Sequence, residues 1–282
     1  MNIKIGINKD IDTAKKIVNN YFPDKKIKIE ECYNNRYLFN INSIKNKSLI
    51  KNDIHNAVAD MILDMILNIY SRDFISKRIN IKKNNLKAKE RNEIVQISKE
   101  ILLNKDNFII EKEYLSNKIK DYIIETPFIW VDGFIQFRLK ELDLFINLAI
   151  DKGIEEFTAE KEYKEFIKIL QYFVDVQEPK YDFINLVFND KEYKLLDERD
   201  NLIDNDFFSD IVAEIDDEGI SKEDLLISSL IVIAPKKIII HLEENDINRD
   251  VIRVITNVFQ DRVYFCFDCK KHSSQIKVKK GK

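Results

Sequence analysis

Apolar residues recur along this chain with two periods, and the period changes twice. Residues 3–7 alternate like a strand, and Asp10-Ile11-Asp12-Thr13 then opens a helix that runs to Tyr21 and stops at Pro23. Lys26 to Tyr33 and Arg36 to Ile41 alternate again around Asn34-Asn35, a tight-turn pair. Together these predict a small N-terminal β-α-β-β unit. From residue 49 to 178 the spacing becomes helical. It predicts helices over His55 to Tyr70 with an extension to about Ile79, over 86–103, over 107–125, over 128–150 and over 159–176. After Pro179 the alternation returns: a hairpin of Asp182–Phe188 and Glu192–Leu196 around Asn189-Asp190, then a short strand at Leu202-Ile203. Helices follow at Phe207–Ile215 and from the capping box Ser221-Lys222-Glu223-Asp224 to Ile233. Strand Lys237–His241, helix Asn245–Phe259 and strand Arg262–Phe267 read as a right-handed parallel crossover.

The predicted fold class is therefore α+β: a largely helical centre between a small N-terminal unit and a C-terminal α/β part with a hairpin and a parallel β-α-β crossover. The expected parts are residues 1–48, 49–178 and 179–282, the last ending in a basic tail from Lys270. The first part has too few strands to be stable alone, which points to a sheet shared between the two ends.

The stretch from Pro127 to Glu178 carries the most apolar bulk. Treated as one helix from Phe128 to Ile150, it places Asp132, Gln136, Lys140, Asp143, Asn147 and Asp151 in one polar stripe and nearly everything else in a wide apolar arc. Arg138 falls in the middle of that arc. A buried guanidinium needs a carboxylate. Glu162, inside the apolar face of the next helix, is the first choice and Glu141, one turn along, the second. The expectation is a structural ion pair and not a catalytic arginine.

Composition narrows the class. Hydrophobic residues make up 45% of the 282 and charged residues 34%, so the chain can form a core and is not disordered. Only 5 Gly and 4 Pro interrupt it, which favours long elements and short connections. Forty-six basic and 49 acidic residues nearly cancel, so no basic field argues for nucleic acid. The start lacks a signal-peptide core, and the apolar run Leu230–Ala234 is too short to span a bilayer. Three cysteines provide no disulfide framework and suit a reducing compartment. A cytoplasmic protein is expected.

Candidate chemistry is sparse. Asn56, Asp60, Asp64 and Asn68, spaced by four, put two carboxylates on one helix face. That is a metal or acid/base pair on one reading and an ordinary solvated stripe on the other, which is preferred because no histidine joins it. Lys82, Lys83, Lys87 and Lys89 form a basic patch without interleaved aromatics, which favours a solvated face over a phosphate-backbone contact. At the C-terminus, Cys266-x-x-Cys269-x-x-His272 is compact. With His241, near the end of a neighbouring parallel strand, it would supply the four ligands of a zinc site. The rival reading keeps Cys266 as a small buried residue.

Three segments carry a resemblance: Gly133-Phe134-Ile135-Gln136-Phe137-Arg138-Leu139, then Glu160-Lys161-Glu162-Tyr163-Lys164-Glu165-Phe166-Ile167, and Glu223-Asp224-Leu225-Leu226-Ile227-Ser228 continuing to Ile233-Ala234-Pro235. Together they resemble the YtxC-like family of sporulation proteins from endospore-forming bacteria. The similarity spans most of the chain from about residue 50. It implies a cytoplasmic protein associated with sporulation and no substrate or catalytic residues. No phosphate loop or nucleophile–histidine–carboxylate set is present, and there are 18 Phe and 11 Tyr. The expected function is non-enzymatic binding or scaffolding with a protein partner. The alternative is a metal-stabilised or redox-sensitive module built on the C-terminal cluster.

Overall fold

The computed structural model describes residues 2–23, 27–32, 36–42, 51–82, 86–189, 192–203, 221–242 and 250–267. Two compact units divide the chain, Met1–Glu160 and Lys161–Lys282.

The first unit begins with β1 (Asn2–Ile7), α1 (Ile11–Tyr21), β2 (Lys28–Cys32) and β3 (Arg36–Asn42). Asp10 caps α1 by accepting from the Thr13 backbone N–H at 3.1 Å and from the Thr13 hydroxyl at 2.7 Å. Helix α2 (Lys51–Met65) passes through a π-helical segment, Ile66–Tyr70, into α3 (Ser71–Lys82). Then come α4 (Ala88–Leu103), α5 (Ile109–Glu125), β4 (Phe128–Trp130), α6 (Val131–Arg138) and α7 (Leu142–Val176), whose last turns belong to the second unit. The sheet order is β2-β3-β1-β4, with β1 antiparallel to β3 and parallel to β4. Ile3, Ile5 and Ile7 of β1 and Phe39 and Ile41 of β3 are buried in one cluster with Met61, Ile62, Ile66, Ile119 and Phe145, so sheet and helices share a core.

The second unit holds β5 (Ile184–Asn189), β6 (Glu192–Leu196), α8 (Lys222–Ile233), β7 (Ile238–His241), α9 (Asp250–Phe259), a 3-10 turn (Gln260–Arg262) and β8 (Val263–Cys266). Its sheet order is β6-β5-β7-β8. The hairpin β5–β6 is antiparallel, while β5–β7 and β7–β8 are parallel. The expected parallel crossover is there. The short third strand reduces to one bridge, Leu196 to Leu202. Ser221 and Asp224 form the expected capping box of α8. Val251, Ile252, Ile255, Val258 and Phe259 of α9 are all buried, in one cluster with Leu226 and Leu230 of α8 and the strands. The helix expected at Phe207–Ile215, the first turn expected from Asn245 and the tail from Lys270 lie outside the described residues.

Three expectations need correction. The terminal strands form two separate sheets and not a shared one. The fourth strand of the N-terminal sheet is Phe128–Trp130, inside the stretch expected to be helical. Pro127 explains it: Thr126 before it is extended (φ −126°, ψ 101°), and the Pro127 carbonyl accepts from Lys4 N–H at 2.9 Å, which draws the next three residues onto β1. Lastly, the two long helices expected over 128–150 and 159–176 are divided elsewhere. The break falls at Leu139–Glu141, and α7 then runs unbroken for 35 residues through Gly153.

Gly153 sits where α7 crosses α4. A Cβ there would lie 2.2 Å from the Ser98 Oγ and 3.1 Å from the Ser98 Cα. Gly→Ala inside a helix ordinarily stabilises by about 1 kcal/mol. At Gly153 the sign should reverse, because the backbone of α4 cannot yield as a side chain can and overpacking costs roughly 1–3 kcal/mol. Urea denaturation of Gly153→Ala tests this. A higher midpoint than the parent's would show that the helices separate easily.

Candidate functional site

One concavity lies in the first unit, where α1, α2 and α5 meet. It is a groove of about 630 Å³ lined by Tyr21, Asn56, Asp60, Asp64, Asn68, Lys105, Lys112, Glu113, Ser116 and Asn117 over the apolar Leu63, Leu67 and Leu103. The four-residue stripe that runs from α2 into the π-helical segment faces it, so the stripe is a groove wall as well as a solvated face. Its carboxylates are held from other elements. Tyr21 of α1 donates its hydroxyl to Asp64 Oδ2 at 2.7 Å, and Ser116 of α5 donates to Asp60 Oδ1. Asn68 Nδ2 donates to the Asp64 carbonyl at 2.8 Å. Burial pushes the Tyr21 phenol far up, and the hydrogen bond and charge of Asp64 push it further, so it stays a neutral donor. Lys112 is half-buried and donates to the Asn104 carbonyl. It makes no ion pair among the described residues. Desolvation lowers its pKa, and the charges of Asp64 and Asp106 oppose that shift.

The second candidate is the carboxyl edge of the C-terminal sheet. His241 and Cys266 are register partners on the parallel strands β7 and β8. His241 is buried, and its Nε2 lies 2.9 Å from Asn185 Oδ1 on β5. The Asn185 Nδ2 donates to the Asp197 carbonyl at 3.4 Å, so Oδ1 is the atom turned to the imidazole and Nε2 carries the proton. Cys269 and His272 lie outside the described residues, and among those described no group of three His, Cys, Asp or Glu side chains could hold a metal ion.

The third is a surface. In the second unit α7 has two apolar faces. Tyr163, Ile167, Leu170 and Val174 pack into the core with α8, α9 and the sheet. Rotated from them by roughly 110°, Phe166, Ile169, Phe173 and Val176 remain 52, 54, 47 and 57% exposed, with Tyr172 beside them. The inner face is anchored by Gln171 Nε2 donating to the Asn257 carbonyl at 2.8 Å, by Asn257 Nδ2 donating to the Tyr163 hydroxyl at 3.0 Å and by the Arg262–Asp175 pair at 3.0 Å. The helix is thus held with its second apolar face outward.

The ion pair expected at Arg138 is a further correction. Arg138 is exposed, in the last turn of α6. One continuous helix from 128 to 150 would place Arg138 in an apolar arc. The break at Leu139–Glu141 resets the phase, and the apolar arc around Arg138 does not exist. Glu141 pairs with Lys118 of α5, which holds its carboxyl below the usual range. Glu162 is an exposed residue of the second unit.

The model of the YtxC-like family matches residues 56–264. The chain belongs to this family. An uncharacterized protein YtxC of Bacillus subtilis (strain 168) is 26% identical over 158 residues, which cover 54% of this chain and 53% of that protein. The alignment therefore spans about half the length of the curated relative. No solved structure matches. The YtxC-like stretch contains α2 from Asn56 on, α5 and all of α7, hence most of the groove and the whole exposed stripe. It ends before Cys266, and it begins after Tyr21. No helix among the described residues is long and apolar enough to cross a membrane.

The residues that sequence reasoning passed over are Tyr21, Lys112 and Ser116. None has a local signal. Each matters through a partner 43 to 56 positions away or through burial, and only folding creates those relations.

Proposed function

We propose that this YtxC-like protein is a cytoplasmic, sporulation-associated binding protein that works by presenting an apolar helix face to a protein partner. One observation carries the reading. Phe166, Ile169, Phe173 and Val176 follow the 3-4-3 spacing of a helix-pairing seam, and they stand outward on a helix whose other apolar face is already packed. Single exposed apolar residues need no explanation, but a contiguous row of four large ones marks an interaction surface. The spacing selects the occupant: an amphipathic helix of the partner, laid along α7. Family membership supports the sporulation setting, and the absence of a spanning helix among the described residues is compatible with the cytoplasm.

The test is a charge substitution on the seam. Aromatic anchors at an interface are each worth about 2 kcal/mol or more. In an endospore-forming host lacking its own copy, the parent gene should restore heat-resistant spores. A Phe166→Lys/Phe173→Lys allele, accumulating to the same level and melting like the parent, should not. A photo-crosslinker at Ile169 should yield one discrete adduct with a helical partner in sporulating cells. Full restoration by the double variant would refute the seam as the working surface.

A further inference from the structure

Beyond the protein-binding surface, the groove of the first unit has the chemistry of a ligand site. We propose that it binds a short linear peptide with free ends, of about two or three residues. The charges in the groove are segregated. Asp60 and Asp64 line the α2 wall, whereas Lys105 and Lys112 come from the α4–α5 corner and α5, with Glu113 exposed beside them. Such a groove favours a ligand carrying an ammonium at one end and a carboxylate at the other. Three amide side chains also line the groove, Asn56 and Asn68 on either side of the two carboxylates along the same stripe and Asn117 on α5. Amides both donate and accept, which suits the N–H and C=O of a peptide group. The floor of Leu63, Leu67 and Leu103 offers apolar contact for a small side chain. A volume of about 630 Å³ is generous for one amino acid and falls within the 300–1,000 Å³ common for ligand pockets.

Two features separate this groove from an ordinary polar surface. The carboxylates are oriented from other elements, Asp64 by Tyr21 and Asp60 by Ser116, so their positions are set before any ligand arrives. Lys112 is half-buried, with its hydrogen bond to the Asn104 carbonyl and no ion-pair partner among the described residues. A ligand carboxylate would compensate that desolvation, and the lowered pKa of the amine agrees with it.

Calorimetry and thermal shift on the full chain test the idea, with a panel of di- and tripeptides of Gly, Ala and Leu as probes. At least one should bind with a dissociation constant near or below about 1 mM. Its N-acetylated and C-amidated forms should each bind roughly tenfold more weakly, since each loses one charge-assisted contact. Asp64→Asn keeps an acceptor for Tyr21 and should abolish the penalty for N-acetylation. Lys112→Met keeps the stem and should abolish the penalty for amidation. No heat or stabilisation from any peptide at about 10 mM, equal binding of the blocked forms, or unchanged discrimination in both variants would each overturn the proposal. The stripe on α7 takes no part in this experiment, so the two readings succeed or fail separately.

Discussion

Gly6→Val should lower the stability of the first unit by about 3 kcal/mol. The expectation runs against the local rule, because a β-branched residue in a strand interior normally helps. Gly6 lies on β1 opposite Trp130 of β4, in parallel register. A Cβ added there would sit 2.1 Å from Trp130 Cε3 and 2.3 Å from Cζ3. No backbone conformation reserves the position for glycine, since no glycine among the described residues has positive φ. The reason is the indole face alone. To make room the ring must leave its place, losing the Arg36 guanidinium stacked 5.5 Å from its centroid and the edge-to-face contact with Phe128 at 5.7 Å. Two controls make the result specific. Gly133→Ala, with nothing within 4 Å of the new Cβ, should stabilise α6 by about 1 kcal/mol. Trp130→Leu should relieve most of the Gly6→Val penalty, so the pair should be strongly non-additive in urea denaturation. If Gly6→Val unfolds at the parent's midpoint, the ring moves without cost and β4 is not held by this contact.

The same contact shows where sequence reasoning stopped. Hydrophobic period, caps and turn residues are local, and what depended on them was foreseen: β1 and α1 with the Asp10 cap, the hairpin strands β2–β3 and β5–β6, the capping box of α8 and the parallel pairing of β7 with β8. What depended on a distant partner was not. Phe128-Ile129-Trp130 carries as many apolar residues as a buried helix turn, and only the edge of β1 makes it a strand. The expected helices 128–150 and 159–176 leave residues 151–158 between them, yet α7 continues through that gap, where Gly153 makes a close crossing against Ser98. Once α6 and α7 are separate helices, Arg138 turns outward. The groove was half visible. Its acidic wall follows from a four-residue spacing on α2, but Tyr21, Lys112 and Ser116 arrive from three dozen or more positions away. The exposed seam of α7 was hidden for a related reason. From sequence alone Phe166 and Phe173 count among the core aromatics, and only the packing of Ile167 and Val174 shows which face is already covered.

Asn185→Leu should destabilise the second unit by roughly 1–3 kcal/mol, the cost of leaving a buried polar group without its partner. Both Asn185 and His241 are nearly excluded from solvent, on the central strands β5 and β7 of the four-stranded sheet. The amide bridges them to a third point, with Oδ1 accepting from the imidazole and Nδ2 reaching the Asp197 carbonyl. Leucine keeps the branched outline of four side-chain heavy atoms, so the loss reports the hydrogen bonds together with some overpacking by its bulkier methyl groups, and not a cavity. His241→Phe tests the other end and leaves the Asn185 Oδ1 unpaired. If the bond couples the two residues, each single change will cost more than half of the double change, because removing the second polar group costs little once the first has gone. A double-mutant cycle in urea measures that coupling, expected at about 0.5–3 kcal/mol. Additivity within about 0.3–0.5 kcal/mol would mean that the imidazole relies on other contacts.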